Sequence, residues 1–420
     1  MTDVTTDKPN PFIDEFWLRP ESAIQADLDA LRAESPVLFL PEPEIPEGIP
    51  LPRGPGGWLV TGYDEILQVS KQPEIYSSAS GITLLDSPPE FNEFFSSMIA
   101  MDDPRHAQLR RIVSAGFTPR MLAQLEDSVQ EVAAEIVDRI GPSGEVDFVV
   151  DVAAALPLKI VCELMGIPDS QYGYVFDRTN VILGAGDPEY VAEQGDILTA
   201  ILSAGGDLAS VMHEVAAAKK GGDGTDLTSQ LINADLGDDE LSEADLASFF
   251  ILLVVAGNET TRNAISWGLK FLTDNPDQRE SWAADFEGLA HTAVEEIVRM
   301  ASPVTYMRRT VTTDTELGGK SLAAGDKVAM CYLAANRDPA VFTDPHRFDL
   351  RRDPTPAHVG FGGPGPHYCL GAHLARREIT VMFRELFRRL PDIHVTGEPE
   401  LLRSNFIHGI KHLPAAFTPA

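Results

Sequence analysis

Apolar residues recur at helical spacing along most of the chain. Residues 65–71, 121–140, 152–165 and 197–219 each carry an apolar stripe with the period of an α-helix. Beyond residue 369, Leu370, Leu374, Ile379, Met382, Phe383, Leu386 and Leu390 repeat at the same spacing until Pro391 ends the run. The longest pattern covers residues 241–275, with Ser242 and Asp245 as a start signal, Asp274-Asn275-Pro276 as a stop and FFILLVVA at its centre. About thirty residues at 1.5 Å each would span about 45 Å, so this helix is expected to run through the core. Gly257, just past the apolar centre, weakens the helix where a kink would make room, which predicts a broken core helix. Strand signals are few: residues 58–61, then 310–333, where Gly318-Gly319 reads as a hairpin turn. Six prolines within residues 41–55 read as an extended surface segment, and residues 219–225 as a flexible break. No internal repeat is visible. The pattern predicts a mainly α protein with a small β lobe.

Composition narrows the setting. Hydrophobic residues make up 44% of the 420, enough core for one large domain or for several. Thirty-three Lys and Arg against 64 Asp and Glu give a formal charge of −31, which argues against nucleic acid as a partner. Three cysteines without regular spacing suit a reducing compartment better than a disulfide framework. The start, MTDVTTDKPNPF, has no charged-then-apolar leader, and the longest unbroken apolar run, residues 249–256, is too short to cross a bilayer. These features predict a cytoplasmic protein without a membrane anchor.

The chemistry concentrates in residues 361–377, FGGPGPHYCLGAHLARR. Four glycines and two prolines within residues 361–371 demand tight turns and close approach by something bulky, and they deliver Cys369 to the start of a helix. Unsatisfied N–H groups and the helix dipole there favour a thiolate, suited to act as a nucleophile or as a metal ligand. Cysteine-protease signatures are absent, and the ten histidines form no close-spaced pair that would hold zinc with the scattered cysteines. A second signal is Ala256-Gly257-Asn258-Glu259-Thr260-Thr261. A carboxylate so near an apolar core either emerges to solvent or has a partner or a task. Glu296 and Arg299 are spaced to share one helix face, as are His106 and Arg110.

Together these stretches resemble the cytochrome P450 family. Gly365, His367, Cys369 and Gly371 fall on the spacing of its haem-ligating loop, while Phe361 lies one residue farther from the cysteine than is usual. Residues 256–261 match its oxygen-activating motif, and Glu296, Arg299 and Arg347 stand where the family braces the cysteine loop. The resemblance covers roughly residues 58–412 and implies a single P450 domain over residues 1–420, with haem b between the long helix and the loop. Cys369 would be the iron ligand and His106, Arg110, Arg309 and His367 partners of the haem propionates. Thr260 would hold oxygen by a hydrogen bond and Glu259 would relay protons. Ile99, Leu253, Ala256, Val304 and Phe406 would line an apolar substrate cavity. No GxGxxG follows a strand, so electrons would come from a separate, ferredoxin-type donor docking on the arginine-rich segments 105–120 and 370–389. FFILLVVAGNETTRNAI, AVEEIVRMASPVTYMRRT and SNFIHGIKHLP resemble the branch that oxidises terminal methyls of methyl-branched lipids and sterol side chains. A hydroxylase of polyketides or terpenoids, a peroxide-using haem enzyme and a haem sensor are the alternatives.

Overall fold

The structure, a computed structural model, describes residues 8–44, 53–114, 117, 119–191, 197–233 and 242–420. The proline-rich segment predicted at 41–55 therefore falls partly outside the described residues. The predicted helices form where the apolar period places them: Tyr63–Lys71, Pro119–Ile140 and Ile197–Lys219, with Ala155–Met165 preceded by a π turn, Val149–Ala153. Their apolar faces merge into one large helical core containing Leu156, Phe250, Val254, Ile265, Phe383 and Leu386.

The sheet lobe packs separately. Its five-stranded sheet runs in the order Val37–Leu40, Gly57–Val60, Lys327–Cys331, Tyr306–Val311 and Tyr76–Ser77. Only the pairing of Gly57–Val60 with Lys327–Cys331 is parallel. Gly318 and Gly319, at φ 52° and 72°, close the expected hairpin between Thr315–Leu317 and Lys320–Leu322. The predicted strand region overshoots at its end, because Tyr332–Ala335 is a turn of helix carrying the chain back to the helical lobe.

The long helix spans Glu243–Asp274. Ser242 caps it, accepting from the Asp245 N–H while the Asp245 carboxylate takes the Ser242 N–H, a reciprocal box that the sequence spacing predicts. The expected break at Gly257 is not present, and the helix is continuous through it. A Cβ on Gly257 would lie 3.0 Å from Val161, so this glycine lets Ala155–Met165 approach rather than bending the helix.

The predicted Glu296–Arg299 pair is a buried ion pair, at 2.7 and 2.8 Å, on the helix Phe286–Ala301. Arg299 also donates to the carbonyls of Asn336 and Pro345, at 2.6 and 2.8 Å. The third arginine is Arg352 rather than Arg347: the Arg352 Nε lies 3.1 and 3.2 Å from the Glu296 carboxylate. Arg347 offers only its carbonyl to Arg299, at 3.3 Å, while its side chain is exposed. Two prolines, Pro354 and Pro356, follow the arginine that the fold uses, and they set the path of the chain into the cysteine loop.

Candidate active site

A cavity of about 220 Å³ lies between the long helix and the cysteine loop, and Cys369, His367, Phe361, Thr260 and Ala256 all border it. The loop is closed by the Cys369 N–H, which donates to the Phe361 carbonyl at 3.0 Å. Its opposite side is pressed against the helix Tyr63–Lys71, where a Cβ on Gly365 would sit 2.1 Å from the Ser70 carbonyl oxygen. Only glycine fits there. Phe361 borders the cavity, its ring held under the Arg376 guanidinium at 4.3 Å. Arg376 is fixed in turn by Glu295, at 2.5 and 3.0 Å.

Cys369 opens onto the cavity, whereas Cys162 and Cys331 are buried and their thiols are pushed up to about 12 and about 11 by burial. The cysteine helix, Ala372–Arg389, begins three residues past Cys369, so the sulfur is farther from the helix start than the sequence suggests. Burial raises the Cys369 thiol pKa, outweighing the Gly371 N–H, Arg110 and Arg376, which favour the thiolate. The dipole alone does not make the thiolate here; a coordinated cation would.

Four nitrogen-bearing side chains gather at the cavity edge. His106 and Arg110 stand one turn apart on Arg105–Ser114, as predicted, and the His106 and His367 rings lie 4.3 Å apart. Arg110 donates to the Tyr368 carbonyl at 2.6 Å, and the His367 Nε2 lies 3.1 Å from the Ser78 Oγ. Arg309 is only 6% exposed and its guanidinium donates to the Arg308 carbonyl at 2.7 Å. Burial, then Arg309, His106 and Arg110, push His367 down to about 2, so it is a neutral donor or acceptor. Among the described residues no carboxylate hydrogen-bonds Arg110, Arg309 or His367, and the buried His106 Nε2 has no partner at all. One buried and one half-buried guanidinium and an orphaned imidazole nitrogen at the rim of a wide cavity fit a ligand carrying carboxylates of its own.

On the long helix, Thr260 faces the cavity and donates to the Ala256 carbonyl at 2.7 Å. Glu259 does not border the cavity. It is 2% exposed, and its carboxylate takes hydrogen bonds from Arg262 and from the Asn263 Nδ2, the latter at 3.1 Å. Of the predicted substrate-lining residues, Ile99, Leu253, Ala256 and Val304 border the cavity together. Phe406 does not: its ring packs on Tyr306 at 5.6 Å, in the sheet lobe. Met98, Met307 and Glu378 also line the cavity and were not predicted. Met98 lies in a short 3₁₀ turn and Met307 in a strand, where no helical stripe points to them. The arginine-rich face is less cationic than its sequence suggests, since Arg377, Arg384, Arg388 and Arg389 pair with Glu126, Glu287, Glu385 and Asp138.

Known proteins agree with this geometry. The family model described as Cytochrome P450 matches residues 208–284 and 289–399. The chain is 47% identical over 407 residues, 96% of its length and 93% of the relative's, to a methyl-branched lipid omega-hydroxylase of Mycobacterium tuberculosis. It is 36% identical over 420 residues, 96% of each chain, to a steroid C26-monooxygenase of Mycolicibacterium smegmatis. A solved structure of a Mycobacterium marinum cytochrome P450 in complex with pseudoionone superposes with a TM-score of 0.92 at 41% identity, covering 99% of this chain and all of that one. The cysteine loop, the long helix and these likenesses place the chain in the cytochrome P450 family, as a monooxygenase whose cofactor is haem b and whose electrons come from a separate redox partner.

Proposed function

We propose that this protein hydroxylates the terminal methyl of a methyl-branched lipid, an isoprenoid or a sterone side chain. The observation that carries this reading is the 47% identity, along 96% of the chain, to a methyl-branched lipid omega-hydroxylase. The apolar cavity wall formed by Ile99, Leu253 and Val304 supports it, since a lipid tail needs such a lining. In this reading all 420 residues serve one P450 domain, the protein is cytoplasmic, and a ferredoxin-type protein is its electron donor.

Cys369 would ligate the haem iron, and Arg110, Arg309, His106 and His367 would hold the propionates, since no carboxylate among the described residues hydrogen-bonds Arg110, Arg309 or His367 and the His106 Nε2 has no partner. Haem b, when bound, supplies reductive activation of dioxygen and insertion of one oxygen atom into a C–H bond. The chain's own part is to place the substrate and manage protons. Val304, Leu253 and Ile99 exclude water and confine the approach, so that the tip of a chain reaches the reacting centre before its weaker internal C–H bonds do. The Thr260 hydroxyl, anchored on the Ala256 carbonyl, would hold a proton over the cavity. The Glu259 carboxylate would relay protons only by leaving Arg262 and Asn263, which makes it a gated group rather than an open one.

The test is product regiochemistry. Methyl-branched fatty acids, isoprenoids and sterones are supplied to the protein reconstituted with a ferredoxin and its reductase, and products are located by mass spectrometry. Terminal alcohols are expected; predominantly internal or ring hydroxylation overturns the chain-end assignment.

A further inference from the structure

Val304 borders the cavity, and the backbone around it is set by pairing with residues 406–408. The Thr305 N–H donates to the Phe406 carbonyl and the His408 N–H to the Pro303 carbonyl, both at 2.9 Å. That partner stretch belongs to the tip of the hairpin between Glu400–Leu401 and Ile410–His412. A two-stranded ribbon this short is marginal by itself, so the position of its tip depends on what holds it from behind. Much of that support comes from the other end of the chain. The Asp14 Oδ1 accepts from the Asn405 N–H at 2.8 Å, and the Asn405 Nδ2 donates to the Phe12 carbonyl at 2.6 Å. His408 is buried; its Nδ1 donates to the Ala301 carbonyl at 2.7 Å, and its Nε2 lies 3.1 Å from the half-buried Glu21 carboxylate. The imidazole stacks on Trp267 of the long helix at 4.6 Å, with the Trp17 ring 6.3 Å away. Phe12, Phe16 and Trp17 are all buried, and the Trp17 Nε1 donates to the Pro11 carbonyl at 2.9 Å, so this segment is a packed element rather than a loose tail.

We propose that the N-terminal segment, residues 12–21, is a selectivity brace: bound to Asn405 and His408, it fixes the hairpin tip and through it Val304, although none of its residues borders the cavity. Asp14, Glu21 and His408 are then positioning residues that act through the Val304–Ile407 bridge. A small shift of the tip moves Val304 with it, and the choice among neighbouring C–H bonds is sensitive to displacements well below the size of a methyl group. The brace works through hydrogen bonds to the backbone and side chain of Asn405 and to the imidazole of His408, and the Phe406 ring, packed on Tyr306, takes no part in it. The inference rests on the monooxygenase reading but not on the identity of the substrate.

Two measurements on the haem-loaded protein test this. The first is hydrogen–deuterium exchange read by mass spectrometry, without turnover. Asp14→Ala and His408→Leu should each speed exchange in the peptides covering residues 303–309 and 402–409 about tenfold, while the cysteine-loop peptides keep their rates. The second is the ratio among product alcohols formed from one substrate, a quantity that does not depend on how much of a variant is folded. Both variants should move that ratio about threefold away from the position the unmodified protein favours. His408→Gln, which keeps a nitrogen within reach of Glu21, should recover part of the difference. Glu15→Ala, which breaks only the exposed pair with Arg403, should leave both readouts unchanged. Faster exchange with an unchanged product ratio would reduce residues 12–21 to structural support and overturn the proposal, as would unchanged exchange in both variants. Failure of the chain-end reading would instead appear in the products of the unmodified protein, which serve here only as the reference.

Discussion

The floor of the cavity and its wall are built by opposite means. The floor, residues 361–371, is over-determined: a backbone hydrogen bond closes it, Ser70 presses on Gly365, Arg376 clamps Phe361, and the Glu296–Arg299–Arg352 cluster fixes the chain leading in. The wall is a set of single side chains, Ile99, Leu253, Val304 and Met307, each from a different element and each in contact with empty space on one side. A floor built this way holds one reactive atom in one place whatever the substrate is. A wall built from independent side chains can be retuned residue by residue, because each change costs packing at one point only. Chemistry is therefore expected to depend on the floor and selectivity on the wall.

The largest effect should come from the floor's reactive atom. Cys369→Ala is expected to abolish the thiolate-type spectrum of the reduced carbon monoxide complex and all product formation. Survival of that spectrum would break the comparison at its root, since neither Cys162 nor Cys331 borders the cavity. The next effect tests whether the floor's rigidity is structural. Arg299→Leu removes one partner of a buried pair and strands Glu296 with Arg352 alone, so it should cost about 3–5 kcal/mol of stability, measured as the shift of the denaturant midpoint. Arg347→Leu, at the position the sequence pattern favours, should change the midpoint little because its side chain is exposed.

The same contrast explains how much of the site is legible in the amino-acid sequence. Floor chemistry is local in sequence: the glycines, His367 and Cys369 share eleven residues, and the long helix announces itself by its capping pair and its apolar run. Where the local signal is ambiguous the reading slips by a few residues. Arg352 replaces Arg347 because only the three-dimensional path of residues 345–352 decides which guanidinium reaches Glu296. Gly257 looks like a kink because a glycine's missing side chain is visible in sequence but Val161, the neighbour that needs the room, is not. Wall residues carry still less local signal. Phe406 and Val304 are equally apolar and one residue out of step across the Val304–Ile407 bridge, yet only Val304 turns to the cavity. Glu378 is invisible for a different reason. Its sequence setting is an ordinary charged helix surface, and nothing local tells a glutamate that borders the cavity from one that faces elsewhere.

Thr260 sits where floor and wall meet, and its expected effect is intermediate. Thr260→Ala removes the hydroxyl bonded to the Ala256 carbonyl without disturbing a buried pair, so substrate-induced spectral change and stability should stay close to those of the unmodified protein. Product per electron consumed should fall roughly three- to tenfold, the worth of one hydrogen bond made in the rate-determining arrangement, with the difference released as hydrogen peroxide. Unchanged coupling would remove Thr260 from proton handling.

The smallest effect is the one that separates wall from scaffold. Val304 borders the cavity, while its backbone is pinned by the bridge to Ile407 and its neighbour Thr305 donates to the Phe406 carbonyl at 2.9 Å. Val304→Ala therefore removes apolar bulk from the approach without moving the main chain. Of the two carbons removed, one methyl's worth of contact with the approaching chain, about 0.8 kcal/mol, should shift the ratio of terminal to internal alcohols about fourfold toward internal carbons. Phe406→Ala removes far more volume, but from the ring stack on Tyr306 in the sheet lobe. It should lower stability and leave the product ratio where it was. Product analysis by mass spectrometry on the two variants side by side decides the matter: a larger redistribution from Phe406→Ala than from Val304→Ala would place the phenylalanine at the working wall during turnover and reverse the assignment made from the resting geometry.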